Sequence, residues 1–347
     1  MKILIVHEKF PPDVTGGGEN LMYQLAKGLI QRGHYVTVIT TGNPKIKSYD
    51  GIPTIRIPIN RYLMNLAFST ILKYSKSFDV IQTTSGNGCL AAWLAAKILN
   101  KPICCLILHY LSSYWRDVKG IFLGLAFQFI ENIYLDRSYD AMVLMSRHME
   151  RMFKGFNVNT EKYLLSPGPT FNSSKKIKKQ NIALFVGNLG MNKTMVKLKG
   201  LDNLIKAAEY LQDIEFHVVG KGELLDELRR HSPRNVLFKG ALFKGDLKVE
   251  YQKAAIFCLP SLSEGFSFSI LDAMVAGCAI VSTIDIGQKG IMVKPKSIAD
   301  LTNAIKHLSD NPKLVNRFGN VNRRLAKQHT WHRFVDGFIE IYRKISK

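Results

Sequence analysis

Short runs of apolar, β-branched residues alternate with helix-period segments along nearly the whole chain. In the first half, residues 3–6, 35–40, 80–83, 103–108 and 141–145 read as strands of continuous apolar character. Leu21, Leu25 and Leu29 stand at i, i+4 and i+8, which predicts a first helix stopped by Gly33. A further helix fits residues 90–99, closed by Asn100 and Pro102. Strands apolar on both faces and separated by helices imply parallel sheets covered on both sides. The alternation pauses at residues 166–180, where Pro167, Gly168, Pro169 and the basic cluster 175–179 read as a linker. A second series has strands at 182–186, 216–219, 236–238, 256–259 and 279–282, and after Val293 the pattern is helical. The expectation is an α/β chain of two doubly wound, Rossmann-like domains facing a cleft. Their bounds are expected at residues 1–172 and 173–330, with a final helix at 331–347 packing back on the N-terminal domain.

Composition narrows the class. A length of 347 residues suits two domains, and 46 % hydrophobic residues suffice for two cores, which excludes a disordered chain. No apolar run approaches the roughly 20 residues that span a bilayer. The richest stretch, 120–130, is shorter and contains Gln128. The apolar run 3–6 gives way at once to His7, Glu8 and Lys9, as expected of a buried strand and not of a signal peptide. Five cysteines without a Cys-x-x-Cys pair point to reduced thiols and a cytoplasmic location, so the sequons at Asn172 and Asn192 read as chance. The net charge of +21 points to a polyanionic partner: nucleic acid, an anionic membrane or phosphorylated substrates.

Ligands of parallel sheets bind where strands end and helices begin, because helix N-termini offer free N–H groups to anions. After the first strand come Phe10-Pro11-Pro12 and then Gly16-Gly17-Gly18-Glu19, a loop whose backbone can approach a diphosphate or an acceptor. The Gly-x-Gly-x-x-Gly spacing and the ribose-binding acid of dinucleotide enzymes are missing. In the second half, Gly187-Asn188 leads to Lys193, Lys197 and Lys199-Gly200, lysines on a loop suited to a diphosphate. Gly220-Lys221-Gly222 makes another tight turn. The segment from Pro260 through Glu264-Gly265-Phe266-Ser267 to Asp272 and Gly277 sets two carboxylates eight positions apart across a loop-to-helix junction. Asp272, about two turns into that helix among apolar residues, needs hydrogen-bond partners, and sugar or ribose hydroxyls would serve. His109 follows the fourth strand, where a satisfied structural histidine and a ligand-touching one are both admissible. No Asp-x-Asp pair or metal-spaced histidines are visible, so no metal cofactor is expected.

Taken together, these motifs resemble the retaining glycosyltransferases of family 4, which have the GT-B fold. The resemblance covers nearly the whole length, and Pro260–Gly277 is its most specific segment. It implies a nucleotide-sugar donor in the C-terminal domain and an acceptor in the N-terminal one. By position, Glu264 matches the acid beside the donor sugar, Asp272 the ribose-holding acid and Lys199 the diphosphate lysine. Gly16, Gly17 and Gly18 match the glycine loop, His109 a residue touching the donor sugar, and the backbone of Gly265, Phe266 and Ser267 approaches sugar and phosphate. The chain departs from the family pattern in having Asp272 for a glutamate and Asn188 for an arginine, which Lys193 or Lys197 would replace.

The function expected is therefore transfer of a hexose-type sugar from a UDP- or GDP-linked donor to a lipid-linked or glycan acceptor, without metal. The alternative is a non-catalytic nucleotide-sugar-binding subunit of the same fold. Nucleic acid is not an expected partner, since no aromatic-basic motif or binding module is recognisable. Residues 61–76 place Leu63, Leu66, Ala67, Phe68, Ile71, Leu72 and Tyr74 at helical spacing with Arg61, Lys73 and Lys76 at the edges. A basic amphipathic helix of this kind suits an anionic bilayer, and an ordinary core-facing helix is the competing reading.

Overall fold

The computed structural model describes the chain except residues 14–15, 154–155, 157–158, 173–176 and 190–192 and the side chains of Lys193 and Lys244. The chain divides into two compact units. One comprises Met1–Ser112, Ala126–Gly168 and Thr330–Lys347; the other comprises Ser113–Leu125 and Pro169–His329. The expected boundary at 172 falls instead after Gly168, and residues 113–125 belong with the second unit although they precede it in sequence.

The first unit contains strands β1 (Lys2–Val6), β2 (Tyr35–Thr41), β3 (Ser48–Tyr49), β4 (Ile52–Ile57), β5 (Val80–Thr84), β6 (Ile103–Leu106), β7 (Ala141–Leu144) and β8 (Lys162–Leu164). Their spatial order is β3-β4-β2-β1-β5-β6-β7-β8, parallel except for the β3–β4 pair. Chain order reverses between β1 and β5, where Ile3 stands opposite Val80 and Val6 opposite Thr83. Helices α1 (Gly17–Gln31), α2 (Phe68–Ser75) and α3 (Cys89–Ile98) follow β1, β4 and β5. The sequence pattern missed β4 because Pro53 and the polar Arg56 interrupt it. Arg56 is nonetheless buried, donating to the carbonyls of Phe10 and Pro11 and pairing with Asp13, and so it shapes the loop after β1.

Helices α4 (Trp115–Lys119), α5 (Ile121–Leu135) and α6 (Arg147–Met152) complete the run before β8. The segment read as one amphipathic helix over 61–76 is a 3₁₀ turn, Arg61–Ala67, followed by α2. Met64, Ala67 and Ile71 lie in the core and Phe68 and Leu72 pack against it, whereas Leu63, Leu66 and Tyr74 are exposed. Arg61 is partly exposed and lies 3.4 Å from the Glu8 carboxylate, and Lys73 and Lys76 are exposed.

The second unit contains β9 (Gln180–Val186), β10 (Glu215–Val219), β11 (Val236–Gly240), β12 (Ala254–Leu259), β13 (Ala279–Ser282) and β14 (Gly290–Met292) in the order β11-β10-β9-β12-β13-β14, with every pairing parallel. Its reversal lies between β9 and β12. Helices α7 (Lys193–Lys199), α8 (Leu201–Glu209), α9 (Leu225–Arg230), α10 (Lys244–Lys253), α11 (Phe268–Ala276), α12 (Ile298–Ser309) and α13 (Pro312–Ala326) connect and flank these strands. Lys179, counted with the basic linker, is a structural residue. Its ammonium donates to the carbonyls of Tyr251 and Ala254, at 3.2 and 2.7 Å, and burial lowers its pKa.

The last helix, α14 (Trp331–Ile345), completes the first unit. It buries Phe334, Val335, Phe338, Ile341 and Tyr342, and Gly28 of α1 has no side chain because Val335 occupies that space. Arg32 meets Asp336 at 2.5 Å, and the Tyr342 hydroxyl donates to buried Gln82 at 2.8 Å. Tyr342→Phe leaves the Gln82 carbonyl unpaired and is expected to lower the unfolding free energy by about 1–3 kcal/mol in urea titrations. An unchanged midpoint would show that this bond adds nothing to the unit.

Candidate active site

Both sheets bring side chains together at the carboxyl ends of the strands flanking their reversal points, the ordinary ligand position of open α/β sheets. In the first unit, His7 follows β1 and its Nδ1 lies 2.7 Å from the hydroxyl of Thr84 at the end of β5. The ring is buried and Nε2 has no partner among the described residues. Burial outweighs the attraction of Glu19 and lowers the pKa to about 4, so the imidazole is neutral near neutrality. Gly18, in the first turn of α1, passes so close that a Cβ there would meet Leu108 at 3.3 Å and the His7 ring at 3.8 Å. Gly17 opens the helix, and the Gly16 N–H donates to the Glu19 carboxylate at 2.8 Å.

Glu8, Asn87 and Arg61 join this group from three different elements. Glu8 accepts from the Asn87 amide and faces Arg61, while burial raises its pKa against the pull of both. The sequence reading did not find this set, because no local motif links residues 8, 61 and 87. Gly16, Gly17 and Gly18, by contrast, are adjacent in sequence, and the structure places them at the start of α1 after β1. His109 is half-buried and lies three residues beyond the end of β6, not at its terminus, in a loop whose next residues are clamped. The buried Glu131 carboxylate of α5 accepts the N–H groups of Leu111 at 3.1 Å and Ser112 at 2.8 Å.

In the second unit, the Lys199 ammonium lies 2.5 Å from Glu264 Oε1, which also accepts from the Ser261 hydroxyl at 3.0 Å. Residues 65 positions apart meet because the chain after α7 is pinned to the chain after β12. The Leu262 N–H donates to the Leu198 carbonyl at 2.8 Å, and Gly200, at φ 68°, lies directly against the Pro260 carbonyl. A Cβ at Gly200 would stand 2.1 Å from that oxygen, so only glycine permits the approach. Side-chain exposures of 22 % for Lys199 and 13 % for Glu264 leave both reachable by a ligand. Gly265 and Phe266 continue the turn, and Ser267 caps α11 by accepting the Ile270 N–H at 3.2 Å. The N-terminal end of this helix and the ammonium form a positive end suited to a phosphate group.

Asn188 is half-buried just after β9, in a turn held by the Gly187 N–H on Val219 and the Leu189 N–H on Lys221. The lysines expected on a loop are largely helical, since α7 spans Lys193–Lys199. Lys197 is exposed, whereas the Lys193 side chain lies outside the described residues.

Asp272 departs most from its expectation. It lies just over one turn into α11, not two, and both oxygens already have protein donors. The Thr170 N–H reaches Oδ1 at 2.9 Å and its hydroxyl reaches Oδ2 at 2.6 Å. The carboxyl therefore fastens the segment that begins at Pro169 to α11, and sugar hydroxyls are not needed to satisfy it. Among the described residues, no group of three His, Cys, Asp or Glu side chains could hold a metal ion.

Two family models match the sequence: Glycosyltransferase Family 4 over residues 15–167, and Glycosyl transferases group 1 over residues 180–311. The O-antigen chain mannosyltransferase C of Escherichia coli is 24 % identical across 99 % of this chain and 98 % of its own length. The alpha-monoglucosyldiacylglycerol synthase of Streptococcus pneumoniae is 23 % identical across 81 % of this chain and 71 % of its own. Among solved structures, sucrose-phosphate synthase from Thermosynechococcus elongatus superposes with a TM-score of 0.81 at 18 % identity, over 99 % of this chain and 98 % of that one. The Anabaena protein HepE, solved in complex with UDP-glucose, gives 0.70 at 17 % identity over 100 % and 98 %.

Burial lifts Asp272 from the ordinary 3.8 to about 7, and the Thr170 bonds offset only part of that rise. The native state thus holds this proton more tightly than the unfolded chain does. Ionising the carboxyl costs stability as pH rises from about 4 through about 7, by at most about 4 kcal/mol. In thermal melts, Asp272→Asn is expected to lose less stability than the wild-type protein between about pH 5 and pH 8. Parallel profiles for the two proteins would show that the carboxyl titrates normally.

Proposed function

Because the chain belongs to glycosyltransferase family 4, and is a glycosyltransferase with the GT-B fold, we propose that it moves a hexose from a UDP- or GDP-linked donor to a lipid-linked or glycan acceptor, with retention of anomeric configuration. The single observation that carries the donor assignment is the Lys199–Glu264 pair at the reversal point of the second sheet. An ammonium has three N–H groups, and Glu264 uses one. The others are available to the diphosphate, where negative charge grows as the glycosidic bond breaks. The start of α11 adds its partial positive charge to the same leaving group. These fixed charges do the work of a divalent ion, so the proposed reaction needs none.

Glu264 contributes the complementary half. Its carboxylate, held by Lys199 and Ser261, accepts hydrogen bonds from hydroxyls of the sugar and fixes the ring against the diphosphate. In the first unit, the neutral His7, with Nε2 open, and the Glu8–Asn87–Arg61 group offer polar contacts to an acceptor hydroxyl. The names of the mannosyltransferase and of the diacylglycerol glycoside synthase support a glycan or lipid-linked acceptor, and the HepE complex supports a uridine diphosphate donor.

Glu264→Gln keeps the shape of the turn and removes the charge; turnover of a UDP- or GDP-hexose is expected to fall by about 10²-fold or more. Lys199→Ala is expected to lose about 1.5–3 kcal/mol in kcat/KM, as for any lost hydrogen bond to a charged group. Near wild-type kinetics in both variants would move the donor site elsewhere. In the same assay EDTA is expected to leave the rate unchanged, and NMR of the product to show the donor's anomeric configuration. Loss of activity restored by magnesium would overturn the metal-free chemistry, and an inverted product would overturn retention.

A further inference from the structure

Helix α5 exposes an apolar surface that the reaction does not use. Phe122 is 89 % exposed, Ile121 and Phe129 are 67 % exposed, and Leu123, Leu125, Phe127 and Ile130 are exposed as well. No charged residue interrupts residues 120–130. We propose that the first turns of α5 insert into the hydrocarbon of an anionic bilayer and hold the enzyme at the surface that carries its acceptor. The inference rests on the lipid-linked acceptor proposed above.

The distribution of the exposed residues chooses the occupant. At 100° per residue they spread over about 240° of the helix circumference, from Ile121 at one side to Phe127 at the other. A helix bound in a protein groove shows a narrower apolar stripe, on the order of 100° wide, with a polar back. An apolar surface that wraps most of the way round suits immersion in a fluid apolar medium. Charge points the same way, since exposed Arg116 and Lys119 stand just before the apolar run, Asp117 between them is paired with Lys296, and the chain carries +21 overall.

The element is built to stand firmly. Gly120, at φ 81°, turns α4 directly into α5, and Gly124 lies so close to Arg116 that a Cβ would stand 2.5 Å from its Cα. Farther along the same helix, Glu131 grips the Leu111 and Ser112 amides. This takes α5 as the bilayer contact; in residues 61–76, Ala67 and Ile71 lie in the core while Leu63, Leu66 and Tyr74 are exposed.

Flotation of the full chain with phosphatidylglycerol-containing vesicles and with phosphatidylcholine vesicles tests the inference. Strong binding to the first is expected, and Phe122→Ser with Phe129→Ser is expected to reduce it by about tenfold or more while leaving the unfolding midpoint unchanged. Because all five native cysteines are buried, Phe122→Cys can carry an environment-sensitive fluorophore. Its emission is expected to shift to the blue on vesicle binding and to be quenched by brominated acyl chains. Binding that high salt abolishes and the serine pair leaves intact would be adsorption by charge alone and would overturn insertion. A dimer in vesicle-free solution that the serine pair dissolves, without vesicle binding, would make this face a protein interface and equally overturn it. Hydrolysis of a nucleotide-sugar in vesicle-free buffer reads the transferase proposal separately. If hydrolysis is absent while acyl-chain quenching persists, the function proposal fails and insertion stands.

Discussion

An ammonium and a carboxylate 2.5 Å apart, each only partly in water, meet at the strand ends of the second unit. Partly burying two charges carries a desolvation cost that only good mutual geometry offsets. Here the geometry comes from the backbone. Gly200 lies against the Pro260 carbonyl, and the Leu262 amide bonds to Leu198, so the segment after α7 and the segment after β12 cannot move independently. Adjacent strands β9 and β12 lead their connections away in opposite directions, and the pair sits where that divergence leaves room for a ligand. Removing either partner leaves a partly buried charge without its counterion, so the two residues act as a unit and their energetic effects do not add.

The first unit applies the same topology to different chemistry. At its reversal between β1 and β5, a neutral histidine bonded to a threonine occupies the position that the ion pair takes in the second. Fixed opposite charges suit a diphosphate leaving group, whereas an uncharged ring with one open nitrogen suits a hydroxyl nucleophile. This division agrees with a two-substrate transfer in which each sheet addresses one reactant. The last helix closes the first unit through Val335, Phe338 and Tyr342, so that unit is assembled from both ends of the sequence.

Much of this was legible in the sequence because it is local. Continuous apolar runs located the central strands, and Gly16–Gly18 and Pro260–Gly277 marked the loops where strands give way to helices. The resemblance gave Glu264 and Lys199 separate roles, and their pairing was not foreseen, since it depends on Gly200 meeting Pro260 across two connections. Asp272 illustrates the limit. A buried acid on a helix announces that it needs donors, and the sequence could not say that Thr170, a hundred residues earlier, supplies them. Lys179 misled in the same way, because a lysine beside other lysines reads as solvated until carbonyls are found around it. Residues 61–76 divide between core positions such as Met64 and Ile71 and exposed ones such as Leu63 and Leu66, a division that only packing reveals.

Hydrogen exchange in the presence of a UDP- or GDP-hexose tests the central claim most directly, because it reads where the donor sits without requiring turnover. Saturating donor is expected to slow exchange at the amides of Gly187–Leu189 and Gly265–Phe268, on either side of the Lys199–Glu264 pair, with the same segments unprotected in Lys199→Ala. Protection confined to the first unit, or undiminished in that variant, would contradict a donor site built on this ion pair.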